Sequence, residues 1–197
     1  MDREFQLVRK IVAGDAGRFA ELIQLYQRLV AHIVFRMVSA EVDREELCQE
    51  IFIKIYQNLE SFNFNAKLST WIAKIAHNHC INFLRKHKLN LLDDMQPQDG
   101  DNITHEYADS MFGRTETPDV MSEKAECIRA VHAHLEKLPE IYRLLLTLYH
   151  LDELSYQDIA GVVDMPEGTV KSYLFRARKM LKDKLVANYK KEEALWQ

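Results

Sequence analysis

Ser155-Tyr-Gln-Asp-Ile-Ala-Gly-Val-Val-Asp-Met-Pro-Glu-Gly-Thr-Val-Lys-Ser-Tyr-Leu-Phe-Arg-Ala-Arg-Lys179, near the C-terminus of this 197-residue chain, reads as two short helices around a tight turn. Ser155 stands as an N-cap, and Asp158, three residues on, can return a bond to the cap's own amide, so the first helix opens on a capping box. Met165-Pro166 ends the turn and starts the second helix, because proline at a first helical position leaves no amide unpaired and its fixed φ suits that turn. From there Val170, Leu174, Ala177 and Leu181 recur at i, i+4, i+7 and i+11, on one helix face that must be buried. The opposite face presents Lys171, Ser172, Phe175, Arg176 and Lys179, and between Gly168 and Lys184 the only acid is Asp183.

This is a helix-turn-helix pattern with a basic second helix. In such units the start of the second helix reads base edges in duplex DNA while nearby Lys and Arg hold phosphates. Thr169, Lys171 and Ser172 are the expected readers, with Phe175, Arg176 and Lys179 beside them. The competing reading is a solvated basic face on an ordinary helical hairpin. Cap, turn proline and basic face together favour DNA.

A composition of 47% hydrophobic and 28% charged residues suits a soluble protein of one large or two small domains. No N-terminal run joins a basic start to a long apolar stretch, and none is long enough to cross a membrane, so a cytoplasmic protein without stable membrane insertion is expected. Cys48, Cys80 and Cys127 are odd in number and lie in amphipathic helical patterns; they read as reduced core residues. The net charge of −4 hides an uneven distribution. Ser61 to Leu92 holds no Asp or Glu, while Lys67, Lys74, Arg85, Lys86 and Lys88 lie among His77, His79 and His87. Asp93 to Glu123 is acidic, with Asp93, Asp94, Asp99, Asp101, Glu106, Asp109, Glu116 and Asp119 against Arg114 alone.

Helical periodicity fills the first half: Leu7, Val8, Ile11 and Val12; then, past Gly14 and Gly17, Phe19 through Val34; then a helix from about Asp43 through Leu59; then one from Leu68 through Leu84. Strand signals are absent. The polar run from Asp93 to Pro118 cannot support a core and reads as a flexible linker, whose roughly thirty residues span roughly 30 Å. Beyond Ser122 a helix passes through Ile128, Val131, Leu135 and Leu138, and Pro139 opens another through Leu144 to Tyr149. The expected fold is all-α: an N-terminal domain over residues 1–92, an acidic linker over 93–121, and a helix-turn-helix domain over 122–197.

Three sets of residues in this order resemble bacterial extracytoplasmic-function (ECF) RNA polymerase sigma factors. Leu138-Pro139-Glu140, Leu154-Ser155-Tyr156, Ile159-Ala160, Gly168 to Ser172 and Arg176-Ala177-Arg178 are similar to that family's reader of the promoter −35 element. Glu46-Leu47-Cys48-Gln49-Glu50-Ile51-Phe52 resembles its polymerase-binding motif. Phe62 with Thr70-Trp71-Ile72, Ile75-Ala76 and Asn78 resembles its −10 reading and melting element. The resemblance implies a transcription initiation factor that performs no covalent chemistry. The partners it implies are core RNA polymerase through its β′ clamp, promoter DNA (duplex at −35, single-stranded at −10) and an anti-sigma factor.

The residues fit that comparison. Glu46, Gln49 and Glu50 beside Leu47 and Phe52 offer acids around an apolar anchor, as docking on a basic partner requires; the competing reading is that Leu47 and Phe52 fill the core. In the acid-free stretch, Phe64 can stack on unpaired bases and Lys67 and Arg85 can follow the backbone. Trp71, spaced helically with Ile72 and Ile75, points to burial, which leaves Phe64 and Lys67 as the exposed candidates. By resemblance Asn78 holds an extruded −10 base, to which an amide can donate and accept. Two departures stand out: Asn63-Phe64-Asn65-Ala66-Lys67 replaces the family's usual Arg-Gly-acid loop, and Tyr173 stands where a second arginine is usual.

Other classes fit less. His77, His79 and Cys80, or Cys127, His132 and His134, lack the i, i+4 pairs or CxxC spacing of zinc sites. No phosphate-cradling glycine loop or nucleophile-base pair is present, so no metal, cofactor or enzymatic role is expected. A stand-alone helix-turn-helix regulator would explain only the C-terminal half, and a protein-binding adaptor only the N-terminal half.

Overall fold

Gly14 sits at φ +102°, a backbone conformation that side chains with a Cβ rarely adopt, and it ends the first helix where the sequence places the break. Helix α1 (Asp2–Val12) precedes it and α2 (Gly17–Met37) follows. The computed structural model describes residues 2–38, 41–93 and 131–195, with side chains over 3–38, 43–86 and 131–187. Helix α3 (Glu41–Asn58) starts two residues before the expected Asp43, passes into a short 3-10 turn (Leu59–Ser61), and a loop leads to α4 (Leu68–Asp93). Residues 131–136 are helical; Leu138 lies past their end but is buried. Then come α5 (Glu140–His150), α6 (Tyr156–Val163) and α7 (Glu167–Leu195). Among the described residues there is no strand. The expected linker past Asp93, the start at Ser122, and Cys127 lie outside the described residues.

Each helix buries the stripe its spacing dictates. Leu22, Tyr26, Leu29, Val30, Ile33, Val34 and Met37 turn α2 into the core, with Leu47, Ile51 and Ile55 of α3 and Leu68, Ile72, Ala76 and Cys80 of α4. In the C-terminal half Leu144, Leu145 and Leu148 of α5 meet Ile159, Val162, Val170, Leu174 and Ala177. The two sets are not separate: they form one continuous core, with α2 packed on α5 and α4 packed on α6. The two domains are pressed together, not held apart as a flexible linker permits.

The junction has a charge polarity. On α2, Arg28, His32 and Arg36 recur at i, i+4 and i+8 and form one ridge. His32 Nδ1 lies 2.8 Å from Asp152 Oδ1, with both side chains buried, and Arg28 and Arg36 add positive charge near that acid. Arg36 donates through Nε to the buried Thr147 hydroxyl at 3.2 Å and pairs through Nη1 with Glu136, which also binds Arg143 at 2.7 Å. Apolar burial, on the order of 1.5–3 kcal/mol per fully buried aliphatic side chain, holds the halves together. The ion pairs add little net attraction but fix the register, since breaking one strands a buried charge.

Candidate nucleic-acid interface

The helix-turn-helix is built as its residues prescribe. Ser155 Oγ accepts from the Asp158 amide at 3.1 Å, and Asp158 Oδ2 accepts from the Ser155 amide at 3.2 Å, so the capping box is complete. Helix α6 ends at Asp164 in the left-handed region, φ 55°, where glycine is the usual residue. Pro166 departs from its expected place by one residue. It is the residue before α7, and its carbonyl accepts from the Val170 amide at 3.1 Å. The reason is that the left-handed Asp164 has already turned the chain, leaving proline to launch the helix from its N-cap.

Val170, Leu174 and Ala177 are fully buried and Leu181 half-buried, as their spacing requires. Phe175 is 69% exposed, and Lys171, Ser172, Arg176 and Lys179 are exposed beside it; Thr169 is half-buried. Lys171 is tied at 2.6 Å to Glu167, and that partner raises its ammonium pKa. Ser172 donates to the Gly168 carbonyl at 2.9 Å. Two stacked rings, Tyr149 and Tyr156, 4.9 Å apart, receive Arg178 and Lys171 on their faces and brace α7 from one side. Tyr173 has become a packing residue, its ring edge-on to Tyr142 at 5.6 Å. Sequence reading missed this ladder, because its members come from three helices.

In the loop before α4, Phe64 sits at φ 60°, a strained conformation for an aromatic residue, of order 1–3 kcal/mol. Its ring lies on Phe62 at 4.6 Å and on Phe5 at 4.7 Å, while 41% of the residue remains exposed. Asn63 helps set this turn by accepting the Asn65 amide at 3.2 Å. Trp71 is half-buried against Phe62 at 5.3 Å, as its spacing suggests. Asn78 and Arg85 are exposed along α4. Lys67 is exposed but engaged: its Nζ donates to Asp158 Oδ2 at 2.9 Å, and the buried Thr70 donates to Asp158 Oδ1 at 2.9 Å. Burial alone would raise the Asp158 carboxyl, yet hydrogen bonds from Ser155, Lys67 and Thr70 outweigh it and bring the pKa to about 2, against 3.8 for a free aspartate.

A lowered carboxylate pKa stabilises the bonded state above the free value and ceases to do so as pH falls through the lowered one. The Lys67–Thr70–Asp158 contact is therefore expected to hold at neutral pH and to let go between about pH 4 and pH 2. Acid titration followed by the fluorescence of Trp71, the neighbour of Thr70, checks this; Asp158→Asn should lack that step, and identical titrations would contradict it.

The α3 motif needs a correction. Leu47 is only 2% exposed and Phe52 is half-buried against the core. At about 100° per residue, Leu47 lies a quarter-turn from Glu46 and Phe52 falls on the far flank, so neither can stand among the acids. The apolar residue that shares the face of Glu46, Gln49 and Glu50 is Ile53, 56% exposed. Glu50 is also tied to α4, with Oε2 2.7 Å from His79 Nε2. Cys48 and Cys80 are inert: burial pushes their thiols up to about 11 and about 12. Among the described residues no three His, Cys, Asp or Glu side chains group to hold a metal, and no helix is long and apolar enough to cross a membrane.

Residues 22–89 match Sigma-70 region 2, and residues 128–181 match Sigma-70, region 4. The chain is 30% identical over 182 residues to the ECF RNA polymerase sigma factor SigW of Bacillus subtilis (strain 168), covering 90% of this chain and 94% of that one. It is 36% identical over 183 residues to the ECF RNA polymerase sigma-E factor of Escherichia coli (strain K12), covering 91% and 92%. Among solved structures, the sigma factor RpoE of Bartonella quintana, in complex with the anti-sigma factor NepR, shares the fold with a TM-score of 0.64 at 21% identity, over 85% of this chain and 96% of that one. CnrH in complex with the cytosolic domain of CnrY shares it at 0.61 and 19%, over 92% and 96%. With both regions in one all-helical chain that such relatives match over nine-tenths of its length, the protein belongs to the ECF family of RNA polymerase sigma factors and directs the polymerase to promoters.

Proposed function

We propose that the chain divides its work among three surfaces. Thr169, Lys171, Ser172, Phe175, Arg176 and Lys179 of α7 hold the −35 duplex, with phosphate contacts positioning the helix and base edges setting the sequence. Phe64, Lys67, Trp71, Asn78 and Arg85 hold the unwound −10 strand: Phe64 offers a ring face, Lys67 and Arg85 follow the backbone, Trp71 supports the loop from below, and Asn78 receives an extruded base. Glu46, Gln49 and Glu50 dock core polymerase around Ile53, which takes the anchoring role that Leu47 and Phe52 cannot fill. The working units are 1–92 and 122–197, joined by 93–121. The protein acts in the cytoplasm and catalyses no covalent step; captured bases offset the few kcal/mol of unstacking that opening costs. An anti-sigma protein is a further partner, as NepR is for the structurally similar RpoE.

The observation that carries this reading is the division of α7 into a buried face of Val170, Leu174 and Ala177 and an outward face of Phe175, Arg176 and Lys179. Its test is run-off transcription with purified core polymerase, followed by mapping of transcript starts, with co-elution of chain and core on a sizing column. Ile53→Asp should weaken co-elution by about 2 kcal/mol, close to thirtyfold, because an anchor would meet its pocket as a charge. Ile53 is exposed, so the fold should survive. Failure of the unaltered chain to co-elute at micromolar concentration would overturn the reading; equal co-elution of both would move the docking face away from α3.

A further inference from the structure

The acid-free stretch from Ser61 to Leu92 does carry an acid at its surface, and the other domain supplies it. Asp158 caps α6 and at the same time reaches across to Lys67 and Thr70, each at 2.9 Å. Its two oxygens gather the Ser155 amide, the Ser155 hydroxyl, the Lys67 ammonium and the Thr70 hydroxyl. A carboxylate in such a ring of donors occupies the place that a backbone phosphate would take. The other polar contacts of the junction have the same direction. Glu136 and Asp152 belong to the C-terminal half, while the Arg36 and His32 that meet them belong to the N-terminal half. Every acid comes from one side and every donor from the other.

We propose that the C-terminal domain masks the single-strand surface of the N-terminal domain, with Asp158 as the stand-in for a DNA phosphate and the Glu136 and Asp152 contacts as the latch. The masked form binds single-stranded DNA weakly, because the strand must displace Asp158 and part α6 from α4 before it reaches Lys67. The face of α7 that carries Phe175, Arg176 and Lys179 stays exposed in the same arrangement, so duplex contact does not depend on release. This rests on the reading of Lys67 as a strand contact. Salt acts on the mask and on the strand in the same direction, weakening the latch as it weakens phosphate binding.

The test uses the full chain. Glu136→Gln combined with Asp152→Asn removes the latch charges and touches none of the residues assigned to DNA. The probe is a single-stranded DNA oligonucleotide of randomised sequence, followed by fluorescence anisotropy across a salt series. The variant should bind about tenfold more tightly, the factor expected when only about a tenth of unaltered molecules are open. It should also show the steeper salt dependence, since the unaltered chain loses part of its mask as salt rises. A second measurement needs no variant: carbodiimide, which joins an amine to a carboxylate in contact, should cross-link Lys67 to Asp158 in the free chain, and excess oligonucleotide should suppress that product. Equal affinity and equal salt slopes would overturn the mask while leaving the strand site in place. Absence of the Lys67–Asp158 product would overturn it as well. Failure of either protein to bind the oligonucleotide, with the cross-link formed, would overturn the reading of Lys67 and the mask with it.

Discussion

Full-length protein carrying Glu136→Ala is expected to lose about 3 kcal/mol from the packing of its two halves, a shift of roughly a hundredfold toward separated domains. The loss comes from Arg36, whose guanidinium is buried among Glu136, Thr147 and the Asp152 field. Without Glu136 that charge keeps one hydroxyl contact and no close counter-ion. The lower end of the range for broken buried pairs applies because Glu136 is 24% exposed, so water can partly replace it. Amide exchange at the junction of α2 and α5, read with the radius of gyration from small-angle scattering, measures the shift. The paired change Arg36→Met with Glu136→Leu should be close to neutral, since it removes the desolvated charge along with its partner. A loss below about 1 kcal/mol for the single change, the range of an exposed pair, would mean that Arg36 is hydrated where it stands.

The contrast between the two halves of that prediction also explains what the sequence could disclose. Local signals were legible because their physics is local. The capping box at Ser155 and Asp158, the buried row of Val170, Leu174 and Ala177, the break at Gly14 and the start of α4 at Leu68 depend on residues within about two turns of one another, and the structure has each of them. The error at Leu47 was of another kind. A motif was read as a patch, although helical rotation of about 100° per residue spreads neighbouring positions around the axis; counting that rotation from Glu46 would have found Ile53. The contacts between domains were not legible. Arg28, His32 and Arg36 form a visible ridge in the sequence of α2, but nothing in their spacing names Asp152 or Glu136 more than 90 residues away. Asp158 hides its second role behind its first: a residue already explained as a cap gave no reason to look for Lys67. Likewise, Tyr173 in place of an arginine reads from sequence as a lost phosphate contact, whereas packing against Tyr142 gives it a structural task.

Arg176 carries the sharpest expectation for promoter recognition. It stands exposed on the outward face of α7, one turn beyond Ser172, with Phe175 and Lys179 beside it. Arg176→Ala in the full chain, assembled with core polymerase, should weaken −35 binding by about 1–3 kcal/mol, or roughly 5-fold to 150-fold. The two ways of losing that energy leave different traces. If Arg176 grips a phosphate, the loss should be uniform across −35 sequences and the salt slope should fall by about 1. If it forks onto a guanine edge, the slope should hardly move and discrimination should collapse at a single base pair. Two neighbours act as internal controls. Tyr173→Phe should leave binding unchanged, because its ring is spent on Tyr142. Ser172→Ala should cost less than Arg176→Ala, because the Ser172 hydroxyl already donates to the Gly168 carbonyl. Filter binding or anisotropy on a −35 duplex series with one base pair varied at a time separates these outcomes. Equal affinity for every duplex before and after the change would take Arg176 out of the interface and shift the reading of α7 toward its first turn, where Thr169 and Lys171 would have to carry the specificity.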